Sequence, residues 1–157
     1  MTTDAISRHN ALSDDEFLTQ FEECRLDPSL FNHVGHLRAA FLMLQRQPML
    51  IAQKHYSMSL LRYATHLNAP EKYHATITYA VLAIIAARQG VQRCADWRAF
   101  IRQNTDMVSN AKGLLAQYYQ EETLQSREAR LQFVLPDKTT LADMIGAPKK
   151  HSETTVS

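Results

Sequence analysis

Apolar residues recur every three to four positions along most of this chain, which is the period of an amphipathic α-helix. No stretch shows the strict alternation of apolar and polar residues that is typical of a half-buried strand. The pattern predicts four longer helices followed by shorter ones. The longer helices are expected from Ser13 to Asp27, Asn32 to Gln47, Met49 to Leu67 and Pro70 to Gln89, and the shorter ones near 97–102, 111–120, 126–133 and 140–145.

The ends of these helices carry residues with known positional preferences. Ser13 and Glu16 form a Ser-x-x-Glu capping box, in which each side chain accepts a hydrogen bond from the backbone N–H of the other residue. Asn32 is a good N-cap, Pro70 suits a first helical turn, and Gly90 suits the position just after a helix. These signals support the predicted boundaries.

The links between the helices are short, and short links favour antiparallel neighbours. We therefore predict an all-α fold in which four helices form a single-domain up-down bundle and the later short helices cap it. The domain is expected to span residues 13–146, between flexible tails at 1–12 and 147–157. A chain of 157 residues with 45% hydrophobic composition is long enough to bury such a core.

Charge and cysteine content limit the classes of function. Lys and Arg number 17 against 16 Asp and Glu, which argues against a dedicated nucleic-acid binder because such proteins carry a basic face. The longest apolar run, residues 75–87, is shorter than the ~20 residues of a membrane span, and the first residues lack a signal-peptide pattern. Two widely spaced cysteines indicate a reducing compartment. We expect a cytoplasmic protein with neither a nucleic-acid nor a membrane partner.

Three histidines are predicted to face the apolar side of their helices. At about 100° per residue, His33 and His36 fall in the same arc as Leu37 and Phe41, and His74 lies among the isoleucines of the fourth helix. Histidines at the centre of an apolar stripe are unusual, because histidine is usually at least partly exposed. Metal ligation would explain their position, and so would a buried hydrogen-bond network or a small-molecule pocket.

The spacing of these residues is compatible with a metal site. Two histidines three positions apart on one helix face can approach one ion. Glu71-x-x-His74 matches the unit of helical-bundle carboxylate sites for iron or manganese, and Glu22 is the best carboxylate of the first helix. If the three histidines meet, coordination positions remain open, as a catalytic metal requires. The predicted metal ligands are His33, His36, His74, Glu71 and Glu22.

Arg38 is a candidate catalytic residue on the flank of the second helix. It would clamp a substrate carboxylate, or it pairs with a neighbouring acid. On the third helix, His55 and His66 fall on the same side as Ser59 and Arg62, and we interpret that side as the polar surface.

Three segments resemble a group of small, mostly uncharacterised bacterial all-helical proteins. Residues 31–38 (FNHVGHLR) are similar to an F-x-H-x-x-H-[LV]-R segment of that group, and residues 72–78 (KYHATIT) to its Y-H-x-T-x-T segment. A third block comprises Tyr118, Tyr119, Ser126, Ala129, Arg130 and the run FVLPD at 133–137. The likeness covers roughly residues 14–138 and implies that the three histidines belong together. The group often has glutamate where this chain has Ala75.

Two hypotheses of function follow from these residues. The first is a small metal-dependent enzyme, of the non-haem iron oxidoreductase type, that acts on a small organic acid through a three-histidine site, with iron favoured over zinc or manganese. The alternative is a non-catalytic helical protein that binds a ligand or a partner and whose buried histidines are hydrogen-bonded. A small-molecule substrate or ligand is the expected partner.

Overall fold

A computed structural model of the chain describes residues 11–146, and the regular secondary structure in that range is helical, without a strand. The all-α prediction is confirmed. The longer helices are α1 (Asp14–Glu22), α2 (His33–Arg46), α3 (Met49–His66) and α4 (Ala75–Val91). The shorter ones are α5 (Trp97–Gln103), α6 (Thr105–Ser109), α7 (Ala111–Leu115), α8 (Glu121–Gln125), α9 (Arg127–Leu131) and α10 (Leu141–Met144), and two 3-10 turns lie at Pro28–Leu30 and Pro70–Lys72. The predicted tails at 1–12 and 147–157 lie outside the described residues, except for residues 11 and 12.

The chain divides into two compact units, the first ending at Tyr73 and the second beginning at His74. The first unit contains α1 to α3, and the second contains α4 to α10. A single domain over residues 13–146 stays a prediction. None of the helices between residues 11 and 146 combines the length and the apolar character that crossing a membrane would require.

Helix α1 begins as the sequence predicts and ends earlier. The Ser13 hydroxyl accepts a hydrogen bond from the Glu16 N–H at 3.1 Å, and the Glu16 carboxylate accepts one from the Ser13 N–H at 3.0 Å, so the capping box is complete. The helix ends at Glu22 instead of reaching Asp27, because Cys24 has a φ of 59° and turns the chain out of the helix. Cys24 is therefore not part of the helical stripe.

Aromatic side chains fill the core of the first unit. Phe17 and Phe21 are fully buried, and the Phe21 ring stacks on Phe31 with 4.7 Å between centroids. Tyr63 of α3 donates its hydroxyl hydrogen to the Leu26 carbonyl oxygen at 2.8 Å. Burial of this phenol raises its pKa to about 12. The tyrosine thus holds the loop that follows α1 against α3.

The start of α4 differs from the prediction. The sequence predicts a helix from Pro70, but Pro70–Lys72 forms a separate 3-10 turn and Tyr73 is extended, with a ψ of 134°. Helix α4 begins at Ala75 with His74 as its N-cap, and it continues through Gly90 to Val91. Pro70 does occupy a first helical position, but that position belongs to the 3-10 turn and not to α4.

Helix α4 supplies much of the core of the second unit, where α9 and α10 pack against it. Leu82 and Ile85 are fully buried, as is Phe100 of α5. At the end of α10, Gly146 has a φ of +82°, and a Cβ atom placed on it would lie 2.4 Å from the Ala87 Cβ. Only glycine permits this approach to α4.

Candidate functional site

His33 and His36 lie in the first turn of α2 and differ in exposure. The Asn32 side chain accepts a hydrogen bond from the Gly35 N–H at 3.0 Å, so α2 begins at the predicted N-cap. His36 is half-buried, whereas His33 is exposed. The prediction that His33 faces the apolar side is therefore wrong. The reason is that every residue of α2 from Leu37 to Met43 is buried, so the apolar arc does not mark one face, and His33 lies before that buried stretch, at the start of the helix.

His36 is held between an aromatic ring and a tyrosine. Its ring stacks on Phe31 with 4.1 Å between centroids, and its backbone carbonyl oxygen accepts a hydrogen bond from the Tyr56 hydroxyl at 3.1 Å. Burial, and secondarily the charge of nearby His33, lower the pKa of His36 to about 4. The ring is therefore neutral at pH 7 and keeps a nitrogen lone pair. Within residues 11–146, neither ring nitrogen of His36 has a hydrogen-bond partner.

Arg38 is buried and pairs with α1. Its Nη2 lies 2.9 Å from the Asp14 carboxylate and donates to the Leu12 carbonyl oxygen, also at 2.9 Å. The guanidinium carbon stands 4.5 Å from the centroid of the Phe17 ring. Of the two interpretations of Arg38, the ion pair with a neighbouring acid is observed, and its role as a substrate clamp stays a prediction.

His74 caps α4 with one ring nitrogen and holds a distant segment with the other. Its Nδ1 accepts a hydrogen bond from the Ile77 N–H at 3.1 Å, and its Nε2 lies 2.7 Å from the Leu124 carbonyl oxygen. A carbonyl oxygen only accepts, so Nε2 carries the hydrogen and Nδ1 the lone pair. Both nitrogens of the neutral ring are used in this arrangement.

The first threonine of the Y-H-x-T-x-T segment binds an extended stretch after α9. The Thr76 hydroxyl donates to the Gln132 carbonyl oxygen at 3.0 Å and accepts from the Val134 N–H at 3.1 Å. The Tyr119 hydroxyl donates to the Val134 carbonyl oxygen at 2.8 Å, and burial raises the pKa of this phenol. These hydrogen bonds join the segment around Thr76 to the third block of the resemblance.

Asp137, the last residue of that third block, caps α8 from outside the helix. Its carboxylate accepts hydrogen bonds from the Thr123 hydroxyl and from the Gln120 N–H, the latter at 2.8 Å. The hydrogen bond from Thr123, followed by that from the Gln120 backbone, lowers the pKa of the Asp137 carboxyl. Helix α8 was not predicted, because its cap lies in a different part of the sequence.

The two predicted carboxylate ligands have different surroundings. Glu22 pairs with His55, with 2.7 Å between Oε2 and Nε2, and the His55 Nδ1 lies 3.0 Å from the Gln47 side-chain oxygen. Glu71 is exposed in its 3-10 turn. Because Tyr73 is extended, Glu71 and His74 do not share a helix, and the prediction of a Glu-x-x-His unit on one helix is wrong.

A cavity of about 380 Å³ lies in the second unit. Its apolar wall includes Ile84, Val91 and Met144, and its polar wall includes Arg88 and Tyr118. The volume falls within the range of small-molecule sites, about 300–1,000 Å³. The mixed lining suits a ligand with an apolar body and a polar group.

Arg88 is fixed in position at this cavity. Its two terminal nitrogens each lie 2.7 Å from a different oxygen of Asp106, and Nη1 also donates to the Asn104 side-chain oxygen at 3.1 Å. The hydrogen bonds to Asp106 raise the pKa of Arg88 and lower that of Asp106. No local motif marks this site in the sequence, because Arg88 and Asp106 are 18 positions apart and lie on different helices.

The structure places His33 and His36 in one helical turn of the first unit and His74 in the second unit. The joining of all three, and ligation by Glu22 or Glu71, stay predictions. In the part of the chain that the structure describes, no group of three or more His, Cys, Asp or Glu side chains is arranged to hold a metal ion. Comparison with models of known families, with curated proteins and with solved structures gives no match for this chain.

Proposed function

We propose that this chain is a non-catalytic helical protein that binds a small ligand, and that its buried histidines are structural groups. The observation that carries the proposal is the hydrogen bonding of His74. A neutral imidazole offers one N–H and one lone pair, and Leu124 and Ile77 take both. A metal ion at His74 would have to displace either the cap of α4 or the bond to Leu124.

The cavity of the second unit supports the choice of a small ligand. Its wall combines apolar side chains with a guanidinium that Asp106 already orients. A site whose polar groups are held before binding loses less entropy when the ligand arrives. We infer an organic ligand whose apolar body contacts Ile84 and Met144 and whose polar group contacts Arg88 or Tyr118.

A metal-dependent oxidoreductase of the non-haem iron type, acting on a small organic acid, is the second candidate. The observation that favours it is the neutral ring of His36, whose nitrogens lack partners among the described residues. In this proposal His33, His36 and His74 would hold iron, with Glu22 or Glu71 as a further ligand and Arg38 at the substrate. His74 would then give up one of its hydrogen bonds.

We propose that the four longer helices form an up-down bundle capped by the shorter ones. A cytoplasmic location in a bacterial cell is also proposed, in keeping with the two cysteines, Cys24 and Cys94, which form no disulfide.

Metal analysis separates the two candidates. Protein made without an affinity tag and supplied with iron and zinc is expected to purify without stoichiometric metal. His74→Ala should lower the free energy of unfolding by about 1–3 kcal/mol, because two hydrogen bonds are lost. His66→Ala, at an exposed position, is the matched control. Stoichiometric iron that disappears in His74→Ala would establish the metal candidate instead.

Ligand binding is tested at the mouth of the cavity. Val91 is 84% exposed and lines the cavity, so Val91→Trp should block it without disturbing the core. Val108→Trp places the same side chain at an exposed position outside it. In ligand-observed NMR with a library of small organic compounds, the compounds that bind the wild type should no longer bind Val91→Trp and should still bind Val108→Trp. Equal binding by both variants would exclude the cavity.

A further inference from the structure

Helix α3 has apolar side chains on two faces. One face is buried in the first unit and includes Ala52, Tyr56 and Tyr63. The other is exposed: Leu50 is 83% accessible, and Ile51, Met58 and Leu61 are 42–54% accessible. Taking Leu50 as zero at 100° per residue, Leu61 lies at about 20°, Met58 at about 80° and Ile51 at about 100°. These four residues and Lys54, at about 40°, form the outward strip of α3.

The outward strip is a concentration of exposed apolar surface. Of the ten large apolar side chains that are exposed in the described part of the chain, four belong to it. Single exposed apolar residues are ordinary, but a contiguous patch with a polar border marks a site of interaction with a protein or a membrane. The strip is therefore a candidate docking surface.

The spacing along the strip fits a helical partner. Leu50, Lys54, Met58 and Leu61 follow one another at intervals of four, four and three residues. This is the spacing of positions that meet a second helix lying alongside the first. The strip extends over most of the 18 residues of α3, so the partner helix would need a similar length.

The charge of α3 selects the chemistry of that partner. The helix contains no acidic residue, while exposed Lys54 lies inside the strip and exposed Arg62 borders it at about 120°. A second copy would bring like charges together in a two-fold contact. On a membrane surface the Lys54 ammonium would lie between Leu50 and Met58 and would have to extend along the helix to reach the headgroups. A carboxylate on a partner helix would instead pair with Lys54.

We propose that the outward strip of α3 docks an acidic amphipathic helix of a partner protein. The strip belongs to the first unit and the cavity to the second, so this inference is independent of the proposed ligand site. The partner is defined by an apolar face that covers Leu50, Met58 and Leu61 and by carboxylates at its border.

Two synthetic helices test the charge preference. One has the length of α3, with leucines on one face and glutamates beside them, and the other carries lysines in place of the glutamates. The full chain should bind the glutamate peptide in fluorescence anisotropy and bind the lysine peptide at least about tenfold more weakly. Lys54→Glu should reverse this preference. Equal affinity for the two peptides, or no binding of either at about 1 mM, would overturn the proposal.

The apolar contribution is tested by matched serine substitutions. Met58→Ser in the outward strip should weaken binding of the glutamate peptide about tenfold, since it removes apolar contact area. Leu131→Ser changes a side chain that is 68% exposed in the second unit and should leave binding unchanged. Circular dichroism checks that both variants keep the fold. If the wild type co-sediments with anionic vesicles and Met58→Ser does not, the strip binds a membrane. If the wild type forms a dimer and Met58→Ser does not, the strip binds a second copy. Either result would contradict an acidic helix as the occupant.

Discussion

Acidification is expected to destabilise the protein through His36. This residue binds a proton with a pKa of 6.5 when exposed and of about 4 in the folded chain. Between these values the unfolded chain holds more protons, so the free energy of unfolding decreases as the pH falls. The difference between the two pKa values corresponds to about 3 kcal/mol, of which about 2 kcal/mol is lost between pH 7 and pH 5.

The cause lies in the surroundings of the ring. Phe31 covers one face at 4.1 Å, and the first turn of α2 places His33 close enough for its charge to oppose protonation. An imidazolium in this position would lose hydration without gaining a hydrogen-bond acceptor among the described residues. The neutral form is therefore preferred in the folded state.

The assay combines a direct titration with a stability measurement. The imidazole carbon-bound hydrogens of His36, assigned by comparison with His36→Gln, should titrate in NMR near pH 4. Urea denaturation followed by circular dichroism at pH 7 and pH 5 gives the change in stability, and His36→Gln should show about 2 kcal/mol less pH dependence than the wild type. Titration of this ring near pH 6.5, or the same pH dependence in both proteins, would refute the reasoning.

Three further experiments test the packing of the first unit, each by urea denaturation at pH 7. Ser59→Ala should raise the free energy of unfolding by about 1 kcal/mol, because the buried Ser59 hydroxyl lacks a hydrogen-bond partner within residues 11–146; a decrease would mean that the hydroxyl is satisfied. Arg38→Met should lower the free energy of unfolding by about 2 kcal/mol. Because Arg38 and Asp14 form one ion pair, the double variant Arg38→Met, Asp14→Asn should lose about 1 kcal/mol less than the sum of the two single variants. Full additivity would contradict that pair. Ser13→Ala should cost about 1 kcal/mol through loss of the capping box, and no change would show that α1 does not depend on it.

The sequence predicts interactions between neighbouring residues and does not predict those between distant ones. Asn32 and Ser13 were identified as N-caps because they bond within three residues, and α2 and α3 begin and end close to the predicted positions. The apolar periodicity places His74 inside a helix, since nothing in the sequence around Pro70 indicates that Tyr73 is extended. It also placed Ser59 on the polar side of α3, although the side chain is buried.

The amphipathic pattern alone did not predict which residues of α2 and α3 are exposed. His33 shares the arc of the buried residues of α2 but projects from its first turn into solvent. On α3, Leu50 and Met58 are apolar and exposed, so apolar character alone did not identify the buried face. Periodicity reports which residues share a side of a helix, and packing decides which side is covered.

By itself, the sequence determined the all-helical class, the long helices of the first unit and the caps that begin α1 and α2. Each of these depends on periodicity or on hydrogen bonds between residues three or four positions apart, so the information is local. Only the tertiary structure decided that His74 bonds to Leu124, 50 residues away, and that Arg88 is oriented by Asp106 beside a cavity. Those contacts exist because distant segments fold against one another, and no spacing along the chain encodes which carbonyl or carboxylate a side chain will meet.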